Sequence, residues 1–297
     1  MLTVDPKEIP IQKLHQYLLG SVGPRPIAFV STISKNGERN LSPFSFFNVF
    51  SANPPIAIFS PARSGRTNKT KDTYKNVKEI AECVINVVNH DIVTQMSLTS
   101  SPYSPDIDEF VKGGFTALQS ETVSPFRVKE SPVQLECKVN EVVELGSEGG
   151  AGNLVICEIT RIHIADSILD ENGMIDQHKI DLVARMGGNW YCKADKNSMF
   201  EISKPLTTCG IGFDQIPNEI KNSEILTGNH LGQLGSVDEL PNETDVNEYK
   251  LIELSELFQE FEDNQPKLET ELHKLAKILL DNNQVEEAWK TLLTFND

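Results

Sequence analysis

The sequence predicts a mainly β protein: an antiparallel, Greek-key-like barrel with short peripheral helices and an α-helical C-terminal extension. Three observations predict it. Asn36-Gly37 stands between two β-rich runs, the strongest short-range hairpin signal. Two long strand-like runs, residues 133–145 and 154–168, flank the cluster Gly146, Gly149, Gly150 and Gly152, an arrangement expected of an antiparallel pair. Strand patterns dominate residues 1–205 with no regular strand–helix alternation, which argues against a doubly wound parallel sheet.

Taken in order, Ile27, Phe29, Val30, Thr32 and Ile33 favour an extended first strand. The return arm Asn40-Leu41-Ser42-Pro43 is expected to stop at Pro43, which has no N–H to give a ladder. Beyond it, Phe44, Phe46 and Phe47 alternate with Ser45 and Asn48 and read as a loop rich in hydroxyls and aromatics. Residues 55–60 read as a buried strand. Residues 72–80 carry helical spacing in Tyr74, Val77 and Ile80, with Asp72 or Thr73 as N-cap. Residues 83–88 form a second apolar strand and 91–98 a helix. The Ser-, Pro- and Gly-bearing stretch 100–115 is a surface loop with one helical turn. Residues 170–173 turn, and 182–191 supply a closing strand.

A boundary is expected at Pro205, giving a barrel domain over 1–205 and an extension over 206–297. The extension is irregular to residue 247, then helical over 251–261, 268–280 and 285–293. Leu268, Leu272, Leu275 and Leu279 form one apolar stripe, expected to pack on the barrel or on a second subunit. Most of the charge lies here. Residues 206–297 hold 6 Lys+Arg against 19 Asp+Glu, out of a whole-chain net charge of −16.

That charge argues against nucleic-acid binding, since phosphate backbones need basic surface, and so acidic an amphipathic helix would be repelled by anionic lipid. No apolar run approaches the roughly 18 residues of a membrane span, and the N-terminus lacks a signal-peptide pattern, so a cytoplasmic location is expected. The five cysteines, Cys83, Cys137, Cys157, Cys192 and Cys209, are odd in number, widely spaced and without a CxxC pair. They read as reduced thiols. The six histidines show no HxxxH or HExxH spacing, so no metal site is expected.

Two stretches carry the chemistry. Between residues 63 and 78 stand Arg63, Arg66, Lys69, Lys71, Lys75 and Lys78 against Asp72 alone. A solvated helix face accounts for such a run. So does an anion site, because the run opens on Ser64-Gly65 and ends at a helix start, where free N–H groups point at anions. The aromatics and hydroxyls of 44–48 suit either a core edge or a flat, heteroatom-rich ring.

The strings PRPIAFVST, NLSPFSFFN and NPPIAIFS, followed by Lys71-Asp72-Thr73, resemble the flavin reductase-like, FMN-binding split-barrel family. That family includes flavoredoxins and the reductase components of two-component flavin monooxygenases. The resemblance covers about the first two-thirds of the chain. It implies an FMN-binding split β-barrel whose cofactor-binding residues are Ser31, Thr32, Asn40, Leu41, Ser42, Pro43, Ser45, Phe47, Arg66, Lys71, Thr73 and Arg185. Main-chain groups of residues 40–43 would serve the ring edge, Phe44, Phe46 or Phe47 its apolar end, and Arg66 or Lys71 with Thr73 the phosphate. Arg185-Met186-Gly187-Gly188 resembles a late R-x-G-G segment near the flavin, although better-known reductases begin it with histidine; a plain turn explains it equally. The implied activity is hydride transfer from NADH or NADPH to flavin, carried by the cofactor without a catalytic nucleophile. A homodimer and a downstream oxygenase are the implied partners. The alternatives are an electron carrier of flavoredoxin type and a non-catalytic flavin-binding module.

Overall fold

The computed structural model describes residues 1–202 and 208–295, arranged as two compact units, Met1–Phe200 and Glu201–Asp297. The boundary expected at residue 205 lies outside the described residues.

The first unit opens with a helix, α1 (Ile11–Ser21), absent from the sequence-based expectations. Four strands follow, β1 (Ala28–Ile33), β2 (Arg39–Phe44), β3 (Phe47–Ala52) and β4 (Pro55–Phe59). After α2 (Asp72–Glu79) come β5 (Glu82–Val87), α3 (Val93–Leu98), α4 (Glu109–Gly113) and the two-residue strands β6 (Ala117–Leu118) and β7 (Arg127–Val128). The long pair β8 (Val133–Glu144) and β9 (Asn153–Ile164) precedes a small hairpin, β10 (Val183–Arg185) with β11 (Tyr191–Lys193). Seven strands form one antiparallel sheet in the order β2-β1-β5-β8-β9-β4-β3.

The edge strands of this sheet, β2 and β3, are neighbours in sequence, separated by Ser45 and Phe46 alone. Laid flat, six strand spacings of about 4.8 Å would put them roughly 29 Å apart. Three residue steps reach at most about 11 Å. The sheet therefore has to curl until its edges meet, which produces a barrel with a split between β2 and β3. The Ser60 N–H donates to the Phe46 carbonyl at 2.9 Å beside that connection.

The first hairpin turns through Lys35-Asn36-Gly37. Ser34 O accepts from Gly37 N, Ser34 N donates to Glu38 O, and Gly37 takes φ +84°. This is a three-residue loop with its glycine in the left-handed region rather than a two-residue turn. Pro43 does not end β2. It lies inside the strand opposite Phe29, tolerated because β2 is an edge. Of the stretch expected to be an aromatic loop, Phe44 ends β2, Ser45 and Phe46 are the link, and Phe47 and Asn48 open strand β3, whose Asn48, Val49 and Phe50 are exposed. Residues 182–191 are not one closing strand: the chain turns at Met186–Trp190 and pairs with itself outside the main sheet.

The interior divides between the two faces of β1. Ala28 and Val30 join Phe44, Phe59, Val77, Ile85, Val133 and Val155 inside the barrel. Phe29 joins Leu41, Ile92, Met96, Phe110 and Val183 beneath α3 and α4. Alternation of side chains along a strand dictates this.

The second unit is helical: α5 (Asn218–Lys221), α6 (Gly228–Leu234), α7 (Glu243–Glu253), α8 (Ser255–Glu260), α9 (Gln265–Asp281) and α10 (Val285–Leu293). The part expected to be irregular holds α5, α6 and the first turn of α7, with Thr227 and His230 forming a reciprocal N-cap on α6. The buried line of α9 is Leu268, Leu272, Ala276 and Leu280, flanked by Leu275 and Leu279. It is covered within this unit by Ile216, Leu234, Trp289 and Leu292 on one side and Leu254 and Phe258 on the other. Of the expected stripe, Leu268 and Leu272 are buried by side chains of this unit, and Leu275 and Leu279 are half-buried.

Candidate functional site

Three of the expected site residues meet where β1, β2 and α2 pack. Asn40 Oδ1 accepts from the Thr73 hydroxyl at 2.7 Å and from the Thr32 hydroxyl at 3.2 Å, and Thr32 Oγ in turn accepts from Asn76 Nδ2 at 3.1 Å. Thr32 and Thr73 are buried, as is Asn76. Asn76 was missed from sequence, although its place one turn beyond Thr73 on the inward face of α2 was a usable signal. Ser31 points to the opposite face of β1. It is 1% exposed, and its hydroxyl has no hydrogen-bond partner. Leu41 is part of the apolar layer beneath α4, while its N–H donates to Glu109 Oε2 at 3.0 Å. Ser42 is half-buried opposite Val30.

A second group lines a cavity of about 370 Å³: Ile27, Pro43, Phe44, Ser45, Met96, Ser97, Arg185 and Tyr191. Arg185 lies over the Tyr191 ring, 4.6 Å from its centroid, and donates to Gly188 O at 2.8 Å. The hairpin carrying both is anchored by Arg25, whose backbone exchanges hydrogen bonds with Arg185. Arg25 is 6% exposed, and its guanidinium donates to Leu19 O, Val22 O and Met186 O at 2.6–2.8 Å. Burial and the neighbouring Arg185 charge press it below the usual arginine range. Phe47 stands apart, half-buried opposite Phe59 and packed on the barrel interior.

The basic stretch folds as a compact loop running into α2. Arg63 is tied down through Asn68 Oδ1 and Asn68 O, whereas Arg66 and Lys71 are exposed and form no ion pair among the described residues. Lys71 is the N-cap residue of α2, with extended backbone and no side-chain cap. Two cations without carboxylate partners beside the free N–H groups of a helix start can receive a dianion.

Elsewhere the polar clusters serve other ends. Glu136, with no exposed side-chain surface, accepts from Glu121 N, Thr122 N, Thr122 Oγ and His163 Nε2 at 2.6–2.9 Å. Burial alone would raise its carboxyl; the Thr122 hydroxyl, the two backbone N–H groups and His163 overcome this and hold it at about 2. His90, Asp91 and Asp181 bring ligand atoms within 4.8 Å of one another, with Asp181 engaged by Lys193 Nζ at 3.1 Å. Spacing rules did not reveal this group, because Asp181 joins it from a distant strand approach. Cys83, Cys137 and Cys157 are buried in the barrel, and hydrogen bonding to Cys137 and Cys157, together with burial, raises the Cys83 thiol well above its usual value. No described helix is long and apolar enough to cross a membrane.

Residues 20–181 match the flavin reductase like domain family. The chain belongs to that family. An uncharacterized protein of Aquifex aeolicus is 38% identical over 188 residues, which is 63% of this chain and 93% of its own. Among solved structures, nitrilotriacetate monooxygenase component B from Bacillus cereus superposes with a TM-score of 0.63 at 30% identity, over 68% of this chain and 98% of its own. A Shewanella frigidimarina protein with a split barrel domain gives a TM-score of 0.57 at 27% identity, over 66% of this chain and 96% of its own. The fold is thus the split barrel of flavin reductase-like proteins, carrying a helical C-terminal region. Arg185 lies four residues past the matched span.

Proposed function

We propose that this chain is a flavin reductase of the cytoplasm that binds FMN in its barrel unit and takes hydride from NADH or NADPH. The reduced flavin or its electrons would pass to an acceptor such as an oxygenase. The observation that carries this reading is the 370 Å³ cavity walled by Pro43, Ser45, Arg185 and Tyr191 in a chain of this family; Arg66 and Lys71, exposed and without an ion pair among the described residues, are the cations we assign to the phosphate. The donor set fits a flavin phosphate ester. Ser45 faces the cavity, and Arg66 and Lys71 are exposed with no ion pair among the described residues to compete with a phosphate.

A bound flavin supplies the hydride-accepting chemistry. The chain's own residues bind and orient. Arg185, held over the Tyr191 ring, keeps a positive charge at the cavity wall. Met96 and Phe44 exclude water there. Thr73 holds the start of α2 against β2, since its single proton is given to Asn40. That leaves the phosphate to Lys71, Arg66 and the α2 backbone.

Lys71→Ala and Arg66→Ala are each expected to weaken FMN binding about 10- to 100-fold, the cost of losing one charged hydrogen bond. Riboflavin, which lacks the phosphate, is expected to be indifferent. Equal losses for both ligands would sink the phosphate assignment. Steady-state NAD(P)H oxidation with added FMN separates a reductase, which turns over, from a carrier, which stops after one equivalent.

We also propose a homodimer, formed through β3 and α1. Val49 and Phe50 are 54% and 65% exposed, and Ile11 and Leu18 of α1 about half exposed; clusters of this kind mark interaction surfaces. Val49→Glu with Phe50→Glu should convert a dimer to monomers in sedimentation analysis.

A further inference from the structure

We infer that Glu109, at the start of helix α4, is a positioning residue for the flavin site and acts through Asn40. The inference rests on the flavin reading above. Glu109 is 8% exposed, and both its oxygens are used: Oε2 accepts from Leu41 N at 3.0 Å and Oε1 from Asn40 Nδ2 at 3.2 Å. The helix is held in place beside it by the N-cap of Asp108 on Phe110 N and by the Arg39–Asp108 ion pair. Burial raises the Glu109 carboxyl, opposed by the Leu41 and Asn40 hydrogen bonds.

The direction of every bond in this chain follows from one charge. An ionised carboxylate only accepts, so the Asn40 amide must turn its NH₂ toward Glu109 and its oxygen toward Thr32 and Thr73. Both hydroxyls must then donate to Asn40, and Thr32 Oγ must accept from Asn76. A single carboxylate on α4 thereby orients side chains on β1, β2 and α2. It also occupies the outward N–H of Leu41, while Pro43 has none. Strand β2 is an edge with no partner on that side, so Glu109 stands where a neighbouring strand would otherwise fix it. Pro43 lines the cavity of the proposed flavin site, and the path of the segment 40–43 that delivers it depends on this side chain. With nothing at 109 to accept, Asn40 loses its reason to point either way.

The test is a reciprocal exchange in the full-length protein, read by FMN titration and thermal unfolding. Glu109→Gln presents an NH₂ to one of two donors and should weaken FMN binding at least 10-fold. Asn40→Asp places two carboxylates together and should weaken it similarly. The double variant, Glu109→Gln with Asn40→Asp, restores the polarity, because the amide introduced on α4 can donate to the carboxylate introduced on β2 and still accept from Leu41 N. Its affinity should return to within about 3-fold of the parent. Where Glu109→Gln does not fold, Glu109→Asp, which keeps the charge but withdraws it by one methylene, is titrated instead and should still lose several-fold. A variant with a lowered melting temperature and parental FMN affinity marks a merely structural carboxylate and overturns the inference. So does a double variant no better than the two singles. If the parent itself binds no FMN, the flavin reading falls and this inference with it; parental binding with an indifferent Glu109 variant refutes the inference alone.

Discussion

Replacing Glu136 by Gln should make the barrel unit less stable at neutral pH by an amount that disappears in acid. The carboxylate is fully buried on β8 and is held at about 2, against an unperturbed value of 4.5. That depression corresponds to about 3.4 kcal/mol at 1.36 kcal/mol per unit. Arg127 and His163 beside it reach solvent, so part of the field is screened, and about 2 kcal/mol is the better expectation. The sign follows from a folded-state value below the unfolded one. The stabilisation is complete above about pH 4.5 and is lost as pH falls from there toward 2. For a unit of this size about 2 kcal/mol shifts the midpoint by roughly 4–8 °C. Scanning calorimetry of the parent and of Glu136→Gln at pH 7, 5, 4 and 3, following the transition of the barrel unit, measures this. The gap should be widest at pH 7 and 5 and narrow at pH 4 and 3. A gap that stays constant to pH 3 would refute the claim that an ionised Glu136 pins the loop carrying Glu121 and Thr122.

Three further outcomes are expected. Arg25→Gln should destabilise the barrel unit by about 3 kcal/mol or more, since three carbonyls lose a charged donor, and hydrogen exchange should rise at Leu19–Val22 and Met186–Gly188; unchanged protection there would mean that Arg25 anchors nothing. Trp289→Phe removes the Nε1 bond to Leu234 O at 3.0 Å and should cost the C-terminal unit about 2 kcal/mol, leaving the barrel transition unmoved. A fragment of residues 208–297 should fold alone, showing helical circular dichroism and a cooperative melt, because among the described residues its two apolar clusters are made of side chains from Ile211 onward; a featureless melt would show that its core is incomplete.

The strands that could be read in advance were those whose pattern is local. Cys83 to Val88 and the long β8–β9 pair declare themselves through apolar runs and a glycine-rich break, because both faces or one face of each strand is covered. Strand β3 escaped notice because its outward residues Val49 and Phe50 are apolar although exposed, which erased the polar–apolar alternation a half-buried strand normally shows. Pro43 misled in the opposite direction. A proline ends a central strand, but only the sheet order reveals that β2 is an edge. In the candidate site, the family resemblance pointed to Thr32, Asn40 and Thr73, which the fold brings together, and to Arg185, which lines the cavity. Glu109 and Arg25 were not, since each acts on atoms delivered by distant segments: Leu41 lies 68 residues from Glu109, and Met186 lies 161 from Arg25. A charged residue whose purpose is to satisfy a remote backbone group leaves no periodicity behind it.

The two-residue link at Ser45-Phe46 makes the barrel topologically intolerant at one spot and forgiving at another. Added residues at the Lys35–Gly37 tip would dangle into open space, as nothing lies within 4 Å of a side chain built on Gly37. A few residues spliced between Phe44 and Phe47 would instead release the tether that forces the sheet to bend. The strands could then relax toward a flatter ribbon with two open margins, each offering unpaired backbone to any passing copy. Loop grafting and tag insertion in proteins of this architecture should avoid that hinge, however exposed Phe46 looks from outside. A two-residue connection between the two edge strands is the one that determines the curvature of the barrel.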